Sequence, residues 1–275
     1  MTTAPALAGL PAFETVAARV DGAVLHLSLN RPEARNAMSL RMVTELRLAL
    51  GVAEASGNVR IVVLRGAGGH FCAGGDIKDM AAARMKPAAE GEDPFAQVNA
   101  QFGHLCAAFA RTPLALVAVL EGTVMGGGFG LACVADVAIA GESVVFRLPE
   151  TSLGVVPAQI APYLVERIGY SQARRLAVTG AKIGAEAALA IGLVHEVHRP
   201  EALDAALARV LNDILQCAPD AVAQTKRLVA KARFVPGADL VDEAALVFSR
   251  ALQGPEGIEG TSAFVQKRKP NWAPR

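Results

Sequence analysis

The sequence predicts an α/β fold in which strands and helices alternate through residue 198, followed by a region built of helices alone over 199–275. Three observations predict it. Two short, β-branched apolar runs, VRIVVL (59–64) and LALVAVL (114–120), have the length and composition of buried strands. Each run feeds a glycine-rich loop, RGAGGHFCAGGD and EGTVMGGGFG, and then a helical stretch. Beyond residue 200, in EALDAALARVLNDILQ, DAVAQTKRLVAKAR, DLVDEAALVFSRALQ and PEGIEGTSAFVQKRK, the reading is helical almost throughout.

The elements follow in order. Residues 14–20 and 23–30 are apolar stretches joined by Asp21-Gly22, a dipeptide that favours a two-residue hairpin turn. From Ser39, placed to cap a first turn, Leu40, Val43, Leu46 and Leu50 recur at helical spacing. A helix is expected near Ile77, a further one over 95–111, and Pro113 breaks the pattern before the second buried strand.

Composition narrows the class of function. The chain has 275 residues, 52% hydrophobic and 19% charged, with a net charge of +1, so neither disorder nor a nucleic-acid partner is suggested. Cys72, Cys106, Cys133 and Cys217 form no CxxC pair and read as free thiols in a reducing compartment. No basic residue precedes Arg19, no uncharged apolar run is long enough to cross a bilayer, and the cytoplasm is the expected location. His26, His70, His104, His195 and His198 make no HExxH pair, and no metal is expected.

The stretch VMGGGFGLACVAD (124–136) puts Gly126, Gly127, Gly128 and Gly130 at the head of an apolar helix, where each glycine costs roughly 0.5–1 kcal/mol against alanine. The strand, glycine loop and helix at 59–77 resemble those at 114–136, and Ala73 and Gly127 occupy equivalent places. Such loops present backbone N–H groups that have no helical partner and that a ligand can approach closely. Two of them aimed at one oxygen would form an oxyanion hole. Tight packing of helix on strand explains the glycines equally well, whereas a nucleotide P-loop is disfavoured because the Lys-Ser/Thr ending is missing.

The segments LNRPEARNAMS (29–39), GGHFCAGGDIKDM (68–80), EGTVMGGGFGLACVADVAIA (121–140), FRLPETSLGVVP (146–157) and GTSAFVQKRKP (260–270) resemble the crotonase, or enoyl-CoA hydratase/isomerase, superfamily. Within it, FCAGGDIKDM, GGGFGLACVADVAIA, LPETSLG and VPAQIAPYLVERIG resemble the isohexenylglutaconyl-CoA hydratases of acyclic terpene breakdown. The resemblance implies a crotonase-like spiral of ββα units over 1–198 and a C-terminal helical oligomerisation region over 199–275. It implies an acyl-CoA thioester substrate, of which coenzyme A is a part, no separate cofactor, and a homotrimer or homohexamer.

Residue by residue, the resemblance assigns the oxyanion hole to the N–H groups of Ala73 and Gly127 and the acid/base to Glu150. It lays the acyl-CoA along Ala73, Gly74, Gly75 and Asp76, the aspartate ordering the loop. It brings Arg31, Arg35 and Ala37 to the CoA, with Phe264 and Lys267 reaching the CoA of a neighbouring subunit. By residue type alone, Arg31 reads as a surface arginine, Glu150 as a solvent-facing loop residue, and the terminal KRK as cations suited to a helix C-terminus. Many hydratases of the superfamily carry a second glutamate where this chain has Gly130. The departure leads to an expectation of open space at Gly130, tolerance of Gly130→Glu, and room for a branched acyl group. Hydration of a 2-enoyl-CoA by one glutamate is therefore the leading expectation. A Δ3,Δ2-enoyl-CoA isomerase is the alternative, and so is a non-catalytic member of the fold, disfavoured because both loops and Glu150 are present. Glu121 and Glu142 match no role.

Overall fold

The structure, a computed structural model, describes residues 7, 9–76 and 93–274. The helix expected near Ile77 lies outside the described residues. Strands β1 (Val16–Asp21) and β2 (Val24–Leu29) form the expected hairpin, with Asp21 paired to Val24 and Gly22 at φ +55° in the turn. Helix α1 (Leu40–Ser56) is capped by Ser39, whose Oγ accepts from the Met42 N–H at 3.2 Å. It ends at Gly57, φ +65°, and buries Met42, Val43, Leu46, Ala49 and Leu50.

Strands β3 (Ile61–Gly66) and β4 (Ala115–Leu120) join β6 (Val137–Gly141) and β9 (Glu196–His198) to complete a six-stranded sheet in the order β1-β2-β3-β4-β6-β9. The pairs β2/β3, β4/β6 and β6/β9 are parallel. All six residues of β4 are buried, which explains the unbroken apolar run where an exposed sheet face would have imposed alternation. A second, three-stranded sheet consists of β5 (Thr123–Met125), β7 (Val145–Arg147) and β8 (Lys182–Gly184). Isolated bridges pair Cys72 with Val124 and Met38 with Gly75, so two more segments lie alongside it.

The internal repeat is thereby explained. A strand of the first sheet, an extended segment beside or within the second, and a helix make one turn of a spiral. β4, β5 and α3 (Gly127–Val134) are one turn, and β6, β7 and α4 (Ala161–Thr179) the next. β3 and residues 72–75 begin the preceding turn, and α2 (Pro94–Arg111) lies beyond them in sequence. After α4 come α5 (Ala185–Ala190), α6 (Leu203–Leu215), α7 (Pro219–Ala232), α8 (Gly237–Gln253) and α9 (Pro255–Val265).

Two compact units divide the chain: Met1–Ala110 with Leu116–Leu207, and Arg111–Ala115 with Ala208–Arg275. In the second unit, Glu256 of α9 accepts from the Asp220 and Ala221 N–H groups at 2.9 and 3.0 Å and so caps α7 from outside. Lys226 donates to the Leu114 carbonyl at 2.6 Å, and Trp272 donates to the Gln216 carbonyl at 3.0 Å. Phe234, Val241, Leu246, Phe248, Ile258, Phe264 and Val265 of this unit are exposed. No helix among the described residues is long and apolar enough to cross a membrane.

Helix α3 has only eight residues, too short to stand by itself, and its far end is held by a tertiary contact. Arg167 of α4 donates through Nε and Nη2 to the Cys133 carbonyl at 3.2 and 3.0 Å, and to the Ala135 carbonyl. These carbonyls would otherwise be orphans of a helix end. Arg167→Met should therefore lower unfolding stability by about 3 kcal/mol, since charged hydrogen bonds to buried carbonyls are lost, and urea denaturation would register the change. Unchanged stability would show that α3 is held by packing alone.

Candidate active site

Four chain segments converge where the glycine loops meet. The N–H groups of Phe71 and Cys72 donate to the Glu121 and Thr123 carbonyls, both at 2.9 Å, and Met125 N–H donates back to the Cys72 carbonyl at 2.9 Å. On the far side, Met38 N–H donates to the Gly74 carbonyl at 2.7 Å and Asp76 N–H to the Met38 carbonyl at 3.0 Å. Gly126 N–H reaches the Arg147 carbonyl at 3.1 Å and ties in the segment that leads to Glu150. Backbone pairs with backbone at each step, so the two loops are registered to one another without relying on flexible side chains.

The pairing decides which N–H groups remain. Ala73, equated with Gly127 by the repeat, donates its N–H to the Arg35 carbonyl at 3.0 Å and cannot serve an oxyanion while that bond stands. This corrects the expectation. Among the described residues, no acceptor takes the N–H of Gly75 or that of Gly127. Gly75 is exposed between buried Gly74 and Asp76, and Gly127 is half-exposed between buried Gly126 and Gly128. The cause lies in Gly74, whose φ of +101° breaks the strand alternation that would otherwise turn residues two apart to the same side. Ala73 then faces the 35–38 segment and Gly75 faces away from it.

Gly126, at φ +49° and ψ −116°, adopts a backbone that L side chains rarely accept. A Cβ there would lie 3.0 Å from Glu150 Oε1 and 3.5 Å from Gly74 Cα. The missing side chain therefore marks the place where the first loop, the second loop and Glu150 come together. Gly127 opens α3, so its N–H has no partner within the helix, and the Phe102 ring lies 3.1 Å from where its Cβ would be. Gly128 packs on Cys72, where a Cβ would come within 2.6 Å of Cys72 Cβ. Burial pushes the Cys72 thiol up to about 11, which removes it as a nucleophile at neutral pH.

Glu150 starts a single 3-10 turn, Glu150–Leu153, closed by Gly154 at φ +73°. The turn is fastened from both sides. Arg147 Nε donates to the Gly180 carbonyl at 2.9 Å, and Thr151 Oγ1 donates to the Ala177 carbonyl at 2.9 Å. Glu150 Oε2 is buried and has no hydrogen-bond partner. Burial raises the pKa of the carboxyl above its ordinary 4.5. A half-buried carboxyl with a buried oxygen lacking a partner, next to the glycine loop at Gly126, has the parts of an acid/base.

The remaining expected residues divide. Arg31 pairs with Asp76 at 2.7 Å and donates to the Ala37 carbonyl at 2.7 Å, so both the arginine and the buried aspartate are committed to ordering the loop. Arg35 is exposed, with no side-chain partner among the described residues. Phe264 and Lys267 belong to the second unit. Phe264 is 85% exposed, and Lys267 is exposed in the left-handed region at φ +55°. Its neighbours are engaged, Arg268 with Glu259 at 2.6 Å and Lys269 with the Pro274 carbonyl at 2.9 Å.

The open space expected at Gly130 is absent. A Cβ at Gly130 would collide with Ile160 Cγ2, lie 3.1 Å from Ile160 Cβ and stand 3.6 Å from Phe102 Cζ. Ile160 and Phe102 went unnoticed in the sequence, and nothing in their local pattern marks them. Asn36 was missed as well, although an asparagine just after a proline turn is a signal of left-handed backbone.

Known proteins resemble this chain over nearly its whole length. The sequence profile described as enoyl-CoA hydratase/isomerase matches residues 19–275. The 2,3-dehydroadipyl-CoA hydratase of Escherichia coli is 32% identical over 260 residues, 92% of this chain and 96% of that protein. The mevalonyl-coenzyme A hydratase SIDH of Beauveria bassiana is 32% identical over 263 residues, 90% of this chain and 91% of its own. Among solved structures, an enoyl-CoA hydratase/isomerase from Marinobacter aquaeolei superposes with a TM-score of 0.92 at 51% identity, covering 94% of this chain and 99% of that one. AtuE of Pseudomonas aeruginosa superposes with a TM-score of 0.90 at 52% identity, covering 95% and 100%. The chain belongs to the enoyl-CoA hydratase/isomerase family.

Proposed function

We propose that the protein adds water across the double bond of a 2-enoyl-CoA thioester, with the Gly75 and Gly127 N–H groups on the thioester carbonyl and Glu150 as both base and acid. The observation that carries this reading is the Glu150 carboxyl, whose Oε2 is buried without a hydrogen-bond partner while its Oε1 lies 3.0 Å from where a Gly126 Cβ would be. In the first step the Glu150 carboxylate takes a proton from water while the water oxygen bonds to C3. The π electrons move toward C2 and the thioester oxygen, where the two N–H groups meet the growing charge. Glu150 then returns its proton to C2, the carbonyl re-forms, and one water has been added. A single oxyanion donor is worth roughly 3–4 kcal/mol of barrier in a site shielded from water.

Several features support the details. The relatives described above include proteins named as hydratases of acyl-CoA thioesters. Likeness of FCAGGDIKDM and LPETSLG to isohexenylglutaconyl-CoA hydratases supports a branched, carboxylated acyl group; the filled space at Gly130 adds nothing to that choice. Arg35 and the free Lys267 suit the CoA phosphates, with Lys267 and Phe264 acting on a neighbouring subunit of a trimer or hexamer. The exposed apolar side chains of the second unit favour such an assembly. Light scattering that found an active monomer would end that part of the reading.

The isomerase reading has an observation of its own. At Gly130 the nearest atoms are the hydrocarbon of Ile160 and Phe102. A carboxylate working there without an ordered water can move a proton from C2 of a 3-enoyl-CoA to C4 through a dienolate, which the same N–H groups stabilise. Product analysis separates the two: hydration gives a 3-hydroxyacyl-CoA, and isomerisation gives the 2-enoyl-CoA alone.

Glu150→Gln keeps the shape and removes the transferable proton. Turnover should fall by about 10² or more while butyryl-CoA binding survives. The pH dependence carries a sign. Because the folded protein holds the Glu150 proton more tightly than the unfolded chain, the associated stability is complete below pH 4.5 and is lost as pH rises through the raised folded value. At neutral pH Glu150→Gln should therefore melt higher than the wild type, with the gap closing in acid. Equal melting at both pH values together with full activity would remove Glu150 from the mechanism.

Gly130→Glu should lower stability by roughly 1–3 kcal/mol through overpacking against Ile160. Gly130→Glu combined with Ile160→Ala should recover most of the loss and hydrate crotonyl-CoA faster than the wild type. A single Gly130→Glu variant as stable as the wild type would contradict the contact.

A further inference from the structure

We propose that Asn36 is a positioning residue for the carbonyl site, holding the segment that leaves Gly75 with the free N–H. The proposal rests on the acyl-thioester reading above. Asn36 is completely buried, and its carboxamide is fully used. Its Oδ1 accepts from Arg31 N–H at 2.8 Å, and its Nδ2 donates to the Ala67 carbonyl at 2.9 Å and the His70 carbonyl at 2.6 Å. One side chain thus joins the start of the 31–38 segment to both sides of the glycine turn at Gly68 and Gly69. Both protons of Nδ2 are spent, which only a carboxamide at this place provides.

The backbone around Asn36 is unusual in the same direction. Arg35 at φ +47° and Asn36 at φ +57° are consecutive non-glycine residues in the left-handed region, a conformation that persists only where the surroundings hold it. That turn aims the Arg35 carbonyl at Ala73 N–H and Met38 at both Gly74 and Asp76. The neighbours of Asn36 therefore consume the N–H of Ala73, the carbonyl of Gly74 and the N–H of Asp76. Gly75 N–H is what they leave. A slip of the segment would exchange the free and bound amides and so change which N–H is offered to a ligand.

The test uses the full-length protein with butyryl-CoA carrying 13C at the thioester carbonyl, a saturated probe that is not hydrated. Asn36→Gly keeps the left-handed backbone and removes the carboxamide; Asn36→Asp keeps the shape and removes both donors. In the wild type the carbonyl stretch should move to lower frequency on binding. In the variants most of that shift should be lost, with kcat for crotonyl-CoA falling by about 10² and KM changing by less than about threefold. Folded variants that keep both the shift and kcat would overturn the role of Asn36 alone. A wild type without any shift would overturn the carbonyl reading itself, and the proposal with it. Hydrogen exchange on the wild type covers the case of variants that do not fold. The amides of Ala73 and Asp76 should be protected, with Gly75 exchanging freely until butyryl-CoA binds, and a protected Gly75 amide in the free protein would overturn the proposal.

Discussion

Everything at this site depends on the main-chain pairing of residues 71–76 with 121–125. The hydrogen bonds from Phe71, Cys72 and Met125 fix two loops, distant in sequence, to within a residue of one another. Side chains would hold the backbones apart, which is why Gly74, Gly126 and Gly128 stand where a Cβ would meet the opposing chain. Once the loops are zipped, the N–H groups of Gly75 and Gly127 and the Oε2 of Glu150 are left without a partner among the described residues. Of these only Glu150 Oε2 is buried, and leaving such a group unpaired costs on the order of 1–3 kcal/mol. The surrounding bonds offset that cost, and a ligand carbonyl and a mobile proton have complementary needs.

The sequence disclosed the scaffold more readily than the site. Asp21-Gly22, the Ser39 cap and the buried runs at 59–64 and 114–120 are local signals, and each corresponds to an element of the structure. β5, β7 and β8 were invisible because three residues cannot express a period of two. Glu150 could be picked out only by resemblance, since a glutamate after proline in a loop has no helical or strand context to mark it, whereas Gly127 stands out in its glycine loop and in the repeat. Ala73 shows how counting goes wrong. Repeat spacing equates it with Gly127, but the positive φ of Gly74 turns the chain between Ala73 and Gly75, and spacing has no access to a dihedral angle.

Gly130 illustrates a related failure. A glycine where the family resemblance leads one to expect a glutamate suggests a hole, yet protein interiors are close-packed and such space is normally filled by a neighbour. Here the neighbour is Ile160, from the segment leading into α4, with the edge of Phe102 beside it. Gly130 and Ile160 therefore pack as a pair, and only the glycine could be noticed from the sequence.

That pair bears on how Glu150 can work. Hydrocarbon beside the first turn of α3 lowers the local dielectric, which strengthens the pull of the Gly127 N–H on developing negative charge. The burial of Glu150 raises its pKa and, under the proposed mechanism, brings the carboxyl closer in basicity to the carbon acid it would exchange with. Oε2 is buried without a hydrogen-bond partner, so a proton collected there passes to no neighbouring group among the described residues. It can return only to the ligand or to a water that enters with it. Under the proposed mechanism a one-carboxylate site of this kind keeps the proton it removes and gives it back to the ligand, so hydration and isomerisation differ only in whether a water enters between the two transfers.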